Sequence, residues 1–336
     1  MAPLPTEFTP GLLSIVIPNW NGAHFLPTCL DSLAAQTYTN TEVIIADNAS
    51  EDGSRERVER DYPWVKWVQL PENRGFTGAC NAGMATACGE FICLLNNDTE
   101  VHPEWATSVV NAFSRDEKIG SVASKMLLFD RRDHIHTTGD LFTVNGRAVN
   151  RGVWEQDTGQ YDAAEYVFSA CGGSSTYRRQ MLDEIGLLDD DFFFSGEDVD
   201  IGWRAQLRGW RCLYTPHAIV YHHLSATGGG VTSSYYDGRN LIYILVKDVP
   251  AAVWKQHGGK IVRAQWQLAV EAAKAWRGEA ARARLRGMLA AIVVLPKLLR
   301  KRSQTQQTRT VSDDYIEDIL SPPVLIDKPM ANSSHR

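Results

Sequence analysis

Residues 12–50 read LLSIVIPNWNGAHFLPTCLDSLAAQTYTNTEVIIADNAS. Leu12 to Ile17 form a continuous apolar run rich in β-branched residues, the mark of a buried strand; Phe25, Leu26, Cys29, Leu30 and Leu33 recur at helical spacing; Val43 to Ala46 is again a strand. The cycle then repeats. A helix is expected over Ser54 to Arg60, a strand over Val65 to Leu70, a helix opening at Gly75 with Phe76, Ala79, Cys80, Gly83 and Met84, and a strand over Phe91 to Leu95. This alternation predicts an α/β fold, a mostly parallel sheet flanked by helices. Open sheets of that kind bind ligands beyond the carboxyl ends of their strands.

Polar residues collect at those ends. Pro18-Asn19-Trp20-Asn21-Gly22 follows the first strand, Asp47-Asn48-Ala49-Ser50 the second and Asn96-Asn97-Asp98-Thr99 the fourth. Each alone reads as a turn or a helix cap, because Asn, Asp and Ser bond their own backbone; three on one edge of one sheet point to a site. The turn Asn73-Arg74-Gly75-Phe76 adds a cation and the free NH groups of a helix start, a setting for an anion such as a diphosphate.

On these residues the segment from Leu13 to about Ser225 resembles glycosyltransferase family 2, which binds nucleotide sugars on a GT-A fold. The motifs are VIPNWNG (16–22), VIIADNAS (43–50), NRGF (73–76) with NAG (81–83), LLNNDT (94–99) and GEDVD (196–200), in family order. The resemblance implies a donor site of Pro18, Asn19, Asn21, Asp47, Asn48, Ser50, Asn73, Gly75, Asn81, Asn97 and Asp98, with Asp47 on the nucleotide base. It also implies a Mg2+ or Mn2+ ion on the donor diphosphate at the Asp-x-Asp position, here Asn96-Asn97-Asp98. Asn96 replaces the first aspartate, so Asp98 carries more of the attraction.

The second half supplies acids. Glu197 and Asp198 stand at an expected helix start behind Phe192-Phe193-Phe194, where unpaired NH groups favour carboxylates and an apolar wall raises their basicity. Sugar transfer needs a base for the acceptor hydroxyl. The resemblance assigns that base to Asp198 with Glu197 beside it, leaving Asp200 to cap or orient. It makes His222 a metal ligand with Asp98 and puts Gly172, Gly173 and Trp203 near the transferred sugar or acceptor, whereas His223 reads as structural. The bland alternatives are a satisfied edge histidine and a tight turn at 171–174. The glycine-rich segment at 225–230 reads as a hinge that closes over the donor or as a plain flexible linker, and Arg239, in a helix over 236–247, as a diphosphate clamp or an ordinary surface pair.

Composition bounds the remainder. The 336 residues are 44% hydrophobic and 22% charged with net charge -6, which excludes wholesale disorder and argues against nucleic acid as partner. Six cysteines lack a C-x-x-C pair and read as buried thiols. The segment from Arg277 to Arg302 carries +7 and the rest -13. Within it Leu285, Met288, Leu289, Ile292, Leu295 and Leu299 lie near one helical face flanked by Arg282, Arg286 and Arg300, an amphipathic helix for an anionic membrane surface or, alternatively, for packing on the acidic body. No uncharged apolar run approaches the ~18 residues of a spanning helix, and the start lacks the regions of a signal peptide.

The expected organisation is an N-terminal tail (1–10), a catalytic domain (11–230), basic amphipathic helices (231–302) and a mostly disordered tail (303–336). The expected activity is an inverting, metal-dependent glycosyltransferase, most like bacterial rhamnosyltransferases, at the cytosolic membrane face, using a dTDP- or UDP-sugar and a lipid-linked or glycan acceptor. A non-catalytic sugar-nucleotide-binding or scaffold protein stays open because the first metal aspartate is absent. A nucleotidyltransferase is disfavoured, since no Gly-rich basic loop follows the first strand.

Overall fold

A computed structural model describes residues 3–223 and 230–324. The opening alternation is β1 (Thr9–Asn19), α1 (Leu26–Ala34), β2 (Thr41–Asp47), α2 (Ser54–Asp61), β3 (Lys66–Gln69), α3 (Gly75–Met84) and β4 (Gly89–Leu95), each where the periodicity places it. There follow β5 (Thr99–Val101), α4 (Trp105–Phe113), β6 (Ile119–Leu128) and β7 (Arg131–Thr137). A small hairpin of β8 (Asp140–Phe142) and β9 (Ala148–Asn150) precedes β10 (Glu165–Val167), β11 (Ser174–Arg178), α5 (Arg179–Ile185), α6 (Glu197–Leu207) and β12 (Arg211–His222). The main sheet runs β10-β12-β6-β11-β4-β1-β2-β3. β1 is parallel to β2 and β4, and β2 to β3; β11 runs antiparallel between β4 and β6. Apolar side chains from both faces of the strands pack under helices, α1 and α4 on one side and α3 and α5 on the other.

Five helices complete the fold: α7 (Gly230–Lys247), α8 (Ala251–Lys274), α9 (Glu279–Val293), α10 (Leu295–Gln307) and α11 (Asp313–Ile319). They share a third core with α6 and the hairpin, built on Phe142, Phe192, Trp203, Ile244, Ile261 and Leu298. The expectation of a mostly disordered tail from 303 is corrected over 303–324. There α10 continues to Gln307, Ser312 Oγ accepts the Tyr315 NH as the cap of α11, Ile316 is buried, and Ser321 NH bonds the Phe142 carbonyl. Residues 325–336 lie outside the described residues, as does the expected hinge except Gly230.

Helix α9 packs by its small residues. Ala283, Gly287 and Ala291 face inward, and an added Cβ at Gly287 would stand 2.0 Å from the Tyr235 carbonyl oxygen of α7. Gly238 of α7 answers it, 2.6 Å from the Arg284 oxygen on the same measure, so the two backbones touch. The apolar face expected to pack or to meet lipid is therefore divided: Leu289 (63%), Ile292 and Leu299 are exposed, as is the neighbouring Val293 (80%), whereas Leu285, Met288 and Leu295 are half-buried, Leu295 against the third core.

Half of the basic segment turns inward. Lys301 pairs with Asp189 and Asp191, Lys297 with Asp191, Arg284 with Asp237, and Arg302 donates to the Val246 and Val249 carbonyls. Arg277, Arg286 and Arg300 stay exposed with no partner among the described residues.

Gly287→Ala should lower the melting temperature, by an overpacking cost of roughly 1–3 kcal/mol. Gly259→Ala on α8, where a Cβ meets nothing within 4 Å, should be neutral or slightly stabilising. Equal melting of the two variants would mean that α7 and α9 do not meet at Gly287.

Candidate functional site

A cleft of about 790 Å3 opens where the parallel strands end. One end is lined by Pro18, Asn19, Asn48, Asn73, Gly75 and Asn97. Side-chain amides stitch these loops together: Asn97 Nδ2 donates to Asn19 Oδ1 (2.8 Å), Asn48 Nδ2 to the Gly75 carbonyl (2.8 Å), and the Gly75 NH to Asn73 Oδ1 (2.8 Å). Asp47 stands behind this wall, 1% exposed, accepting from Asn19 Nδ2, Gln69 Nε2 and the NH and hydroxyl of Ser50. It ties β1 to β2 and β3, as Asn21 and Ser50 do nearby through the Asn21 NH on Ser50 Oγ.

The acids occupy the middle. Gly196, at φ 85°, turns the chain into α6, so Glu197 and Asp198 open the helix as expected. The Gly172 NH donates to Asp198 Oδ2 (2.9 Å) and the Val199 NH to Oδ1 (2.8 Å). Gly172 leaves little room for a larger residue, because a Cβ would stand 3.1 Å from Glu197 Oε1. Burial, reinforced by Asp198, pushes Glu197 up to about 8, and burial raises Asp198 despite its NH donors. Between them the pair holds a proton near neutral pH on Glu197, whose Oε2 is buried without a hydrogen-bond partner. Asp200 is buried against Arg204 and Lys247.

Asp98 and His222 meet, as expected. Asp98 Oδ1 lies 3.2 Å from His222 Nε2, and Asn96 Nδ2 lies 3.2 Å from the same nitrogen. No group of three His, Cys, Asp or Glu that could hold a metal occurs among the described residues. One carboxylate and one imidazole nevertheless fit a Mg2+- or Mn2+-diphosphate, since such ions take few protein ligands and complete their shell with phosphate oxygens and water; Asp98 Oδ1 is buried and makes no hydrogen bond. His136, which carried no sequence signal, stacks on His222 with Nδ1 to Nδ1 at 3.1 Å and so fixes its ring. Burial, then His222, pushes His136 down to about 3, leaving it neutral. His223 stacks on Phe129, a structural role.

Three expected residues are elsewhere. Arg239 is no free clamp: Nη2 donates to the Asp191 and Phe192 carbonyls (2.7 Å each), Nε donates to Asn240, and the guanidinium lies against Tyr236 and Tyr243. Trp203, five residues beyond Asp198, is rotated off the cleft face of α6 and is fully buried against Phe142 and Phe168. Asn81 staples α3 to Leu188 and Asp190. The cations that do line the cleft are Arg284 of α9 and Arg147 of the hairpin, joined there by Asp140 and Asn150. A basic-segment count flags Arg284; nothing local marks the hairpin residues.

Residues 14–186 match glycosyl transferase family 2. Among curated relatives, the poly-beta-1,6-N-acetyl-D-glucosamine synthase of Staphylococcus aureus is 23% identical over 65% of this chain and 52% of its own length. This chain therefore spans about half of that relative. The N-acetylglucosaminyl-diphospho-decaprenol L-rhamnosyltransferase of Mycobacterium tuberculosis is 26% identical over 73% of this chain and 87% of its own. Among solved structures, a Pyrobaculum calidifontis mannosyltransferase in complex with GDP-Man and Mn2+ has a TM-score of 0.55 at 16% identity, covering 95% of this chain and 85% of that one. S. aureus TarS with UDP has a TM-score of 0.54 at 17% identity, covering 88% of each chain. The fold is of the GT-A type.

The native state keeps the Glu197 proton to about pH 8, whereas the unfolded chain has lost it by about pH 5. The native state therefore binds more protons across that window, and stability falls as pH rises through it. Glu197→Gln should flatten the melting-temperature profile between these limits and melt above the wild type at the alkaline end. Parallel profiles would mean that Glu197 ionises normally.

Proposed function

We propose, taking as premise that the chain belongs to glycosyl transferase family 2, that it moves a sugar from a nucleotide diphosphate to the hydroxyl of a lipid-linked or polysaccharide acceptor, with inversion. The observation that carries this reading is Asp198, a carboxylate of raised basicity fixed by the Gly172 NH and set in a cleft between donor-type loops and a second, separate wall. Likeness to the mycobacterial enzyme favours rhamnose as the sugar, and the carrier expected is dTDP or UDP.

The chemistry is a single displacement. Asp198 takes the acceptor's hydroxyl proton as that oxygen bonds the anomeric carbon; the bond from that carbon to the phosphate oxygen breaks, and its electron pair leaves with the diphosphate. Asp198 is the ionised partner because Glu197 keeps the shared proton. Asp98 and His222 would hold a divalent cation, which when bound offsets charge on the departing diphosphate. Arg284 faces the same cleft and replaces Arg239 as the diphosphate cation. Phe193 and Phe194 line the cleft and exclude water from the base.

The same reading places the protein at an anionic membrane surface. Leu289, Ile292, Val293 and Leu299 present an apolar stripe beside Arg286 and Arg300, and no described helix is long and apolar enough to cross a bilayer. A peripheral attachment through α9 and α10 follows.

Two measurements test this. Asp198→Asn keeps shape and cap but cannot take a proton, so turnover should fall by roughly 10²-fold or more at unchanged donor affinity; near-normal transfer by a stable variant would remove Asp198 as base. Paired Leu289→Glu and Val293→Glu changes, on side chains that face solvent, should abolish sedimentation with phosphatidylglycerol vesicles and leave the melting temperature unchanged. Equal sedimentation would end the membrane assignment.

A further inference from the structure

Three side chains from distant parts of the sequence surround the His222 imidazole. His222 ends β12 and His136 stands on β7, and both strands pair with the last residues of β6. The two rings stack at 27° with centroids 4.9 Å apart, and their Nδ1 atoms lie 3.1 Å from each other. At the other nitrogen, Asn96 Nδ2 stands 3.2 Å from Nε2 in hydrogen-bonding geometry. Asp98 Oδ1 is equally close, yet it makes no hydrogen bond among the described residues. Asn96, His136 and His222 all line the cleft. The amide is held in place, because the Asn96 NH donates to the Gly173 carbonyl (3.0 Å) and the Asn96 carbonyl accepts from the Thr99 hydroxyl (2.7 Å).

These contacts decide which nitrogen of His222 carries the proton. A neutral imidazole has one N–H and one lone pair, and only the nitrogen with the lone pair can bind a metal. An amide NH2 donates and cannot accept, so the Asn96 contact needs the lone pair on Nε2 and leaves the proton on Nδ1. Nδ1 then donates to His136 Nδ1, which as the acceptor keeps its own proton on Nε2. The opposite tautomer would set N–H against N–H at Asn96, and it would aim a donor at Asp98 Oδ1, an oxygen that takes none. The bare Nε2 and the unbonded Oδ1 are thus 3.2 Å apart with no proton between them. Two ligand atoms at right angles around an ion, each at ~2.1 Å, stand ~3 Å apart. Asn96 occupies the position where the motif resemblance leads one to expect an aspartate. A carboxylate there would join Asp98 in drawing a proton onto Nε2, and the amide does the reverse.

We propose that His136 is a positioning residue which, together with Asn96, keeps the His222 lone pair on Nε2, facing Asp98, ready for a divalent cation. Stacking fixes only the plane of the ring; the Nδ1 contact fixes which nitrogen is bare. The proposal rests on the reading of Asp98 and His222 as cation ligands. It adds that His222 needs neither a ring flip nor the loss of a proton before it binds, which offsets part of the attraction given up with the missing carboxylate at position 96.

Nitrogen NMR of the full chain with isotope-labelled histidines tells the two tautomers apart, the His222 signals being identified by their loss in His222→Gln. In metal-free wild type, at a mildly alkaline pH where a free imidazole is neutral, the proton should be on Nδ1 and Nε2 should be bare. His136→Phe keeps a ring to stack but offers no acceptor. It should shift the proton towards Nε2 and weaken Mn2+ binding by roughly 10- to 100-fold, the range for losing an outer-shell partner of a metal-binding histidine, in calorimetric titrations with UDP or dTDP present. His136→Asn, whose Oδ1 can stand where Nδ1 stood, should restore most of both properties, and Asn96→Asp should move the proton to Nε2. A wild type with the His222 proton on Nε2, or a His136→Phe variant with unchanged tautomer and Mn2+ affinity, overturns the proposal; the first of these needs no variant to fold. A wild type that shows the expected tautomer but binds no Mn2+ beside UDP or dTDP overturns the cation site and this proposal together. The transferase reading is judged separately, by the loss of sugar transfer in Asp198→Asn.

Discussion

The site depends on one side-chain amide. Asn240 Nδ2 donates to the carbonyls of Phe192 (3.0 Å), Phe194 (2.8 Å) and Ser195 (2.6 Å), and Arg239 beside it takes Asp191 and Phe192. The loop they hold is strained: Phe193 has φ 62° and Ser195 φ 67°, left-handed values that cost a side-chain-bearing residue on the order of 1–3 kcal/mol each. Without those donors the loop would relax, and the start of α6, with Glu197 and Asp198, would turn out of the cleft. The proposed base is thus positioned by a helix more than forty residues downstream. Helix α7 thus braces the loop that leads into the candidate site.

A buried ion network keeps that helix in place. Lys247, the last residue of α7, reaches Asp189 (2.6 Å) and Asp200, while Lys301 of α10 takes the second oxygen of Asp189 at 2.5 Å. Burial alone would raise Asp189; the two ammonium groups outweigh it and hold the carboxyl well below the usual range. Buried pairs of this kind add little net stability over an apolar substitute, but losing one partner leaves an uncompensated charge. Their contribution here is register, because the lysines fit these aspartates at only one setting of α7 and α10 against α6. Part of the opposition between the basic segment and the acidic body is therefore settled inside the molecule.

The strand-end motifs were legible because they are local: a polar cluster after an apolar run says where the chain turns and which edge it decorates. The pairing of Glu197 with Asp198 and of Asp98 with His222 came from motif resemblance and holds in space. Arg239 was misread because a sequence shows a guanidinium but not whether carbonyls already occupy it. The inward face of α9 was hidden for a related reason: hydropathy marks leucines, whereas close backbone contact selects Gly238 and Gly287. Helix α11 was missed because its seven residues are polar on average, and only packing of Ile316 and Leu320 makes it stable. His136 and Asp140 come from β7 and the hairpin, where no pattern precedes them. Only the fold brings them to the cleft.

Placing three acids, Glu197, Asp198 and Asp140, in a cleft proposed to take a diphosphate raises a problem of repulsion that protonation resolves. Glu197 and Asp140 are both pushed up by burial and by Asp198, so near neutral pH the charge they would add is withheld. Asp198 alone keeps NH donors on both oxygens, and these favour its ionised form over its neighbours'. The cleft therefore presents one carboxylate, the base proposed above, with neutral acids beside it.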